Sequence, residues 1–291
     1  MTDAVDEDLL RAWPLPEPDG DADKEDRGRV LVLAGSREMP GAAILAATAA
    51  LRAGAGKLVI ATPQSVATVV AAAVPESRVI ALPEGSEGAP TLAGLPALQA
   101  IAPSLGAVLI GPGMIGPQST ILFVQAVLPL FRHAVVLLDA LAMDAVQAMT
   151  RFSQPVILTP HAGEMAHLTG AEKEDLQEEP QSCACRRAAA WNAVVALKGA
   201  TTCIARADGR CWIHRTHAPG LATSGSGDVL AGIIAGLAAR GCPPEQAAVW
   251  GVALHARAGE ALAQRQGTLG YLARELPAQV PALLQALRPR P

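Results

Sequence analysis

The sequence predicts an α/β protein of three layers, in which helices cover both faces of a mostly parallel central sheet. From Arg29 onward, short apolar runs alternate with longer helix-like segments, as in successive βαβ units. The runs are apolar at every position, which is typical of strands that helices cover on both faces. Late in the chain, Asp208-Gly209 lies between β-prone residues of segment 201–215 and predicts an antiparallel hairpin at one edge of the sheet.

The predicted elements follow one another with short connections. Strands are expected at 29–35, 57–63, 78–82, 107–113, 134–140, 155–161 and 193–199, the second of them stopped by Pro63. Helices are expected at 41–53, 65–73, 118–131, a segment ending near Asn192, 226–240, 245–264 and 271–286. Gly232 and Gly236 lie in a very apolar helix, and we expect them to let that helix pack closely on the sheet.

Composition excludes several classes of protein. The chain has 291 residues, of which 51% are hydrophobic, so it has ample apolar surface to bury and is not disordered throughout. The odd number of cysteines, 5, excludes a disulfide scaffold. They lack the spacing and histidine partners of a zinc site, so we expect reduced thiols in a cytoplasmic protein. The chain begins without the basic and apolar regions of a signal peptide, and no apolar stretch is long enough to cross a membrane.

Charge is distributed unevenly. The net charge of −4 argues against nucleic acid as a general partner. Residues 1–28 hold ten acidic and three basic side chains, a charge of −7, so the rest of the chain carries +3. We therefore expect an acidic, flexible leader at 1–28 and a single catalytic domain at 29–291. A slightly basic domain is compatible with an anionic small-molecule ligand.

The strongest functional signal is the segment 220–241, in which small residues lead directly into an apolar helix. Backbone N–H groups at a helix start are unpaired and carry the positive end of the dipole. Gly225 and Gly227 would let a phosphate approach that backbone closely. Asp228 could accept a proton from a substrate hydroxyl, although an aspartate here could equally be a helix N-cap.

Other unusual residues also follow predicted strands, where open α/β sheets bind ligands. His161 in TPHAGE could orient a polar substrate, or could instead cap the helix that begins near Glu164. Lys198 could face a phosphate, or could be a solvated residue at a strand end. Gly113, in a Gly-Pro-Gly turn, either turns the chain or lines a ligand.

Several segments together resemble the ADP/ATP-dependent NAD(P)H-hydrate dehydratases of the ribokinase-like superfamily. The resemblance covers roughly residues 28–287 and rests on the segments VLVLAGS, LRAGAGKLVIATP, IGPGM, LTPHAGEM, ALKGATTCIA and GLATSGSGDVLAGIIAGLAARG, in the order of the family. LTPHxGE combined with LKGATT and GSGD is specific to these enzymes, whereas GSGD alone indicates only the superfamily.

The resemblance implies a ribokinase-like fold and the repair of hydrated NADH and NADPH. A nucleotide, ADP or ATP, phosphorylates the hydroxyl of the hydrate and phosphate is then eliminated. Mg²⁺ neutralises the phosphate charge, without a dedicated metal site in the protein. Members are typically homotetramers. The fused epimerase domain of many bacterial members is not expected here, because an acidic leader of 28 residues cannot form it, so a separate epimerase is the expected partner.

Matched by motif, the family's site residues fall on positions of this chain. Asp228 would be the catalytic base, and the amides from Gly225 to Gly227 would stabilise the transferring phosphoryl group. The hydrated dinucleotide would contact Ala42, Gly113, His161 and Asp228. The nucleotide would contact Lys198, Gly199, Ala200, Thr201, Thr202 and Gly227.

The sequence also departs from the family. Leu141 replaces the second acid of the Asp-Ala-Asp-Ala motif, and Ala218 takes the place of an asparagine. Smaller departures are Ser224, Ala162 and the Met39-Pro40 pair. Losing a polar contact weakens binding. Two alternatives therefore stay open, namely a small-molecule kinase of the same superfamily, such as one acting on a vitamin precursor, and a catalytically impaired nucleotide-binding homologue.

Overall fold

A computed structural model describes residues 2–17, 23–24, 27–149 and 151–288. Its strands are β1 Thr2–Ala4, β2 Arg29–Leu33, β3 Lys57–Pro63, β4 Ser77–Leu82, β5 Ala107–Ile110, β6 Val135–Leu138, β7 Val156–Leu158, β8 Val194–Leu197, β9 Thr201–Ala205 and β10 Cys211–Arg215. Its α-helices are α1 Glu7–Ala12, α2 Pro40–Arg52, α3 Ala67–Ala73, α4 Leu95–Gln99, α5 Pro117–Val127, α6 Ala162–Thr169, α7 Lys173–Glu178, α8 Pro180–Trp191, α9 Ser226–Ala239, α10 Pro244–Gln266 and α11 Val280–Ala286. Short 3₁₀ turns lie at Leu92–Gly94, Ala102–Ser104, Leu128–Phe131, Ala140–Gln147, Pro219–Leu221, Ala273–Glu275 and Pro277–Gln279.

The strands of the described residues form one sheet in the order β1-β10-β9-β8-β7-β6-β5-β2-β3-β4. Neighbours from β8 to β4 run parallel, and β9 pairs antiparallel with both β8 and β10. The predicted mostly parallel sheet with an antiparallel hairpin is thus confirmed. The carboxyl ends of the parallel strands meet at one edge, where open α/β sheets bind their ligands.

Each face of the sheet has its own apolar core, so the fold has the three predicted layers. Val30 and Val32 of β2 pack in the core that includes residues of α1, α2, α3, α9, α10 and α11. Leu31 and Leu33 of the same strand pack in the other core, against residues of α4 to α8. Because successive side chains of a strand point to opposite faces, a strand covered on both sides must be apolar at every position.

The amino-terminal segment differs from the predicted flexible leader. Strand β1 pairs in parallel with β10 and forms the edge of the sheet outside the hairpin. Leu10 and Leu15 are buried, and Trp13 stacks on Trp212 with ring centroids 5.6 Å apart. Besides its acidic residues, this segment therefore has an apolar face that packs on the domain. The predicted leader also includes residues 18–22 and 25–26, which lie outside the described residues.

Most other boundaries agree with the sequence-based expectation to within a few residues, but the last helix is shorter than predicted. In place of a helix over 271–286, two 3₁₀ turns precede α11. Pro277 lacks the N–H that an α-helix would need at that position. Among the described residues, no helix is long and apolar enough to span a membrane.

Candidate active site

Helix α9 begins at the carboxyl edge of the sheet with an open first turn. Its N-cap is Gly225, which has a φ of +84° and provides no side chain to bond the first amides. This positive φ favours glycine, and a Cβ at Gly225 would also lie 2.5 Å from Cδ1 of Leu45 in α2. Asp228 lies in the first turn and is not the N-cap, so its interpretation as a simple cap is wrong. The N–H of Ser226 donates to the Thr223 carbonyl, but no side chain caps the amides of Gly227 and Asp228 that follow, so these remain available for an anion.

A buried hydrogen bond joins this first turn to α10. Oγ of Ser226 lies 3.0 Å from Nε2 of His255, and both side chains are buried. Burial lowers the pKa of His255 to about 4, so the imidazole is neutral near pH 7. The contact therefore fixes the start of α9 without adding charge to the site.

Lys198 follows β8 and lies between two carboxylates. Its Nζ atom is 3.3 Å from Oδ1 of Asp139 and 3.6 Å from Oε2 of Glu164. A Cβ at Gly227 would lie 3.7 Å from the same Nζ, so the ammonium faces the first turn of α9. Burial alone would lower the pKa of Lys198, but the charges of Asp139 and Glu164 outweigh it and raise the pKa. The lysine is therefore a fixed cation at this helix start.

Asp228 is set up to exchange a proton near neutral pH. Burial, assisted by the negative charge of Asp139, raises the pKa of Asp228 to about 6, although the positive charge of Lys198 opposes this. A general base works best when its pKa lies near the working pH. The first turn of α9 thus combines a candidate base, a cation and open amides.

His161 is the N-cap of α6, as the alternative interpretation predicted. Its Nδ1 accepts from the N–H of Glu164 at 3.1 Å, and the Glu164 carboxylate accepts from the N–H of His161 at 2.7 Å. The imidazole is largely exposed, and its Nε2 lies 3.6 Å from Oε2 of Glu164. Glu164 therefore connects His161 with Lys198.

Ala42 at the start of α2 and Gly113 in the turn after β5 lie next to each other. A Cβ at Gly113 would lie 2.7 Å from Cβ of Ala42, and the residue has a φ of +67°. The same turn reaches Asp139, because a Cβ at Gly111 would collide with the Asp139 carbonyl. These two residues predicted to contact the substrate are thus neighbours, and the turn that contains Gly113 packs against the backbone of Asp139, whose carboxylate holds Lys198.

The predicted nucleotide segment forms the tight turn between β8 and β9. Oγ1 of Thr202 accepts from the N–H of Gly199 at 3.3 Å and donates to the Gly199 carbonyl at 3.1 Å. The carbonyl of Ala200 accepts from the N–H of Thr216 at 3.0 Å. Thr202 is buried and shapes the turn, whereas Thr201 lines an open cavity with Cys185 and Cys203.

Asp139 and Glu164 were not among the predicted site residues, although Asp139 lies at the end of one predicted strand and Glu164 shortly after the next. Their signal was their position after β6 and β7, but the sequence did not show that both carboxylates meet one lysine. Leu141 lies in the 3₁₀ turn after Asp139, and Ala218 is buried. Within the parts of the chain that the structure describes, no group of three or more His, Cys, Asp or Glu residues could hold a metal ion. The described residues therefore offer no cluster of side chains that could hold a metal ion without oxygens from a bound nucleotide.

Comparison with known proteins agrees with this geometry. The family profile described as NAD(P)H-hydrate dehydratase matches residues 30–282. The ADP-dependent (S)-NAD(P)H-hydrate dehydratase of Xanthomonas campestris pv. campestris is 48% identical over 96% of this chain and 94% of its own length. A bifunctional NAD(P)H-hydrate repair enzyme of Moorella thermoacetica is 40% identical over 96% of this chain and 54% of its own length.

A solved structure agrees as well. The ADP/ATP-dependent NAD(P)H-hydrate dehydratase of Bacillus subtilis, co-crystallised with ATP/Mg²⁺, superposes with a TM-score of 0.82 at 33% identity. The match covers 98% of this chain and 99% of that one. The family match over most of the chain, the high identity to relatives and the shared ribokinase-like fold lead to one conclusion: this chain belongs to the NAD(P)H-hydrate dehydratase family.

Proposed function

We propose that the protein catalyses the ADP-dependent dehydration of hydrated NADH and NADPH back to the reduced cofactors. One observation carries the proposal. The first turn of α9 brings together a carboxylate with a pKa of about 6, at Asp228, and the Lys198 ammonium beside Gly227. A proton acceptor, a cation and open amides are what phosphorylation of a hydroxyl requires. The 48% identical relative is an ADP-dependent (S)-NAD(P)H-hydrate dehydratase, which supports this choice of substrate.

In the first step, the hydrate is phosphorylated. Asp228 takes the proton of the hydroxyl, and the freed oxygen attacks the terminal phosphorus of ADP. The bond to the bridging oxygen breaks, and AMP leaves with the electron pair. The amides of Gly225 to Gly227 and the Lys198 ammonium stabilise the charge on the transferring group.

In the second step, phosphate is eliminated. The carbon–oxygen bond breaks with its electrons leaving on phosphate, and the neighbouring ring carbon releases a proton. The ring double bond is restored, so NAD(P)H hydrate and ADP give NAD(P)H, AMP and phosphate. Ala42, Gly113 and His161 would hold the hydrated dinucleotide, while the turn from Lys198 to Thr202 would hold the nucleotide.

Mg²⁺ and ATP belong to the same proposal. Because substrate phosphates and water supply most ligands of Mg²⁺ in such sites, we regard it as an ion that accompanies the nucleotide phosphates and assign it no protein ligand. The B. subtilis relative was co-crystallised with ATP/Mg²⁺, so ATP is a candidate alternative to ADP.

We further propose that the protein is a cytoplasmic homotetramer that works beside a separate NAD(P)H-hydrate epimerase. The family resemblance supports these expectations. Light scattering coupled to size-exclusion chromatography measures the subunit number directly, and any other assembly would contradict the tetramer.

The deciding experiment is a turnover assay. The protein is incubated with hydrated NADH, ADP and Mg²⁺, and the absorbance of reduced nicotinamide is followed. We expect recovery of NADH with release of AMP and phosphate in equal amounts. No recovery with either ADP or ATP would contradict the proposal. ATP-dependent phosphorylation of a vitamin precursor would then favour the kinase, and nucleotide binding without any turnover the impaired homologue.

A further inference from the structure

Asp139 is a nearly fully buried carboxylate to which sequence reasoning assigned no role. It lies at the end of β6, where Oδ1 accepts from Oγ1 of Thr159 at 2.7 Å and from Nζ of Lys198 at 3.3 Å. A buried charge is costly unless it is paired and hydrogen-bonded. The Asp139 carboxylate meets both conditions, because it pairs with the Lys198 ammonium and accepts a hydrogen bond from Thr159. The carboxylate is therefore held firmly, and it in turn holds the lysine.

The backbone around Asp139 is constrained as well. Ala140, directly after it, has a φ of +48°, which L-residues rarely adopt. On the other side, a Cβ at Gly111 would collide with the carbonyl of Asp139, so the turn after β5 packs against its backbone. Such strain persists where the surrounding structure fixes it, and it is concentrated at functional sites.

We propose that Asp139 is a positioning residue, whose carboxylate holds the Lys198 ammonium beside the first turn of α9 and adds a negative charge that acts on Asp228. This inference rests on the proposed function, because it concerns the residue that aims the cation of that site. Asp139 does not touch the substrate. It acts through Lys198, whose ammonium faces Gly227, and through its charge on Asp228.

The charges that face Asp228 come from several elements. Asp139 at the end of β6 raises the pKa of Asp228, and Lys198 at the end of β8 lowers it. Glu164 of α6 contacts Lys198, and neutral His255 of α10 contacts Ser226 in the same turn. Removing the charge of Asp139 should therefore shift the titration of Asp228 to lower pH.

The experiment compares full-length wild type with Asp139→Asn. kcat and KM for hydrated NADH are measured with ADP and Mg²⁺ across pH, and ADP affinity by calorimetry. We expect kcat to fall roughly 10–100-fold, because the Lys198 ammonium is no longer held beside the first turn of α9. ADP affinity should be unchanged or higher, since a negative charge near the phosphates is lost. The acid limb of kcat/KM should move to lower pH.

Glu164→Gln is the matched control. It also removes one carboxylate from Lys198, but Glu164 is not among the groups that shift the pKa of Asp228. Its acid limb should stay at the wild-type pH. Asp139→Glu restores the charge, so its limb should return to the wild-type position even if kcat recovers only in part.

The outcomes separate the inference from the function on which it rests. An active wild type whose acid limb does not move in Asp139→Asn overturns the inference alone. A wild type without turnover contradicts the proposed function. In that case, NMR titration of ¹³C-labelled aspartate carboxyls still tests the inference. Comparison with Asp228→Asn identifies the signal of Asp228. An unchanged Asp228 midpoint in Asp139→Asn would overturn the inference here too.

If Asp139→Asn does not fold, a second variant tests the inference. Thr159→Val removes the hydroxyl that donates to Asp139 and keeps the charge. We expect a severalfold lower kcat with the acid limb in place, because Asp139 is held less firmly. A wild-type kcat in this variant would overturn the inference.

Discussion

Gly232 of α9 packs directly against the backbone of Ala46 in α2. A Cβ at Gly232 would collide with the carbonyl oxygen of Ala46 and would lie 2.8 Å from Cβ of Ala49. One helical turn further, Gly236 meets Ala50 in the same way. The sequence predicted that these glycines allow close packing on the sheet, but the structure shows that they face a neighbouring helix. Since α9 carries Asp228 and α2 carries Ala42, this contact sets the spacing between the two predicted parts of the site.

Gly232→Ala should therefore destabilise the protein. Overpacking typically costs about 1–3 kcal/mol, more than the helix propensity that alanine gains. The free energy of unfolding in urea measures the effect. Gly41→Ala is the matched control, because Gly41 also lies in a helix and a Cβ there meets no atom within 4 Å. Equal stability of the two variants would contradict the packing argument.

Asp228→Asn should abolish most turnover. Loss of a general base typically lowers the rate about 10²–10⁴-fold, and asparagine has a similar shape but cannot take the proton. ADP binding should persist, because the amides of α9 and the Lys198 ammonium remain. Steady-state kinetics and calorimetry measure the two quantities. Asp208→Asn, on the exposed hairpin turn, should behave as wild type. Normal turnover in Asp228→Asn would show that another group is the base.

Activity should fall as the pH drops through about 6. The raised pKa of Asp228, about 6, means that the carboxylate becomes protonated there and can no longer accept a proton. The pH profile of kcat/KM on hydrated NADH measures the acid limb. Spontaneous loss of the hydrate is measured without protein and subtracted at each pH. A limb near pH 4 would show that Asp228 titrates normally.

The same pKa shift predicts a pH-dependent effect on stability. In the unfolded chain Asp228 ionises near 3.8, but in the folded protein only near 6. Below pH 3.8 the shift leaves the free energy of unfolding unchanged. That free energy falls as the pH rises from 3.8 to 6, and the full loss remains above pH 6. Asp228→Asn removes that cost, which is on the order of 1–3 kcal/mol after allowance for partial exposure. Thermal unfolding should thus show that Asp228→Asn is more stable than wild type at about pH 8 and equally stable at about pH 4.

Trp13→Ala should destabilise the protein without changing kcat. Trp13 stacks on Trp212, and its carbonyl accepts from Nε1 of Trp250 at 2.9 Å. These contacts attach the amino-terminal segment to the domain. Because Trp13 is only partly buried, we expect a loss of about 1–3 kcal/mol. Trp13→Phe keeps an aromatic stack and should lose less. A Trp13→Ala variant as stable as wild type would contradict a structural role for this segment.

The sequence predicted the layers, most elements and the region of the site, because these depend on local patterns. Apolar runs such as β5 and β6 are recognisable as strands covered on both faces. The small residues before α9 are recognisable as an open helix start. The contacts of Trp13 were not predicted, since its partners, Trp212 and Trp250, lie about 200 residues or more away along the chain.

By itself, then, the sequence determined the fold class, the family and the motif that carries Asp228. Only the tertiary structure decided how the charges interact. It brought Asp139 and Lys198 to 3.3 Å from the ends of two different strands, and placed Glu164 on the same ammonium. It also buried Asp228 enough to raise its pKa to about 6. The physical reason is that a pKa depends on burial and on charges distant in sequence, neither of which a local pattern contains.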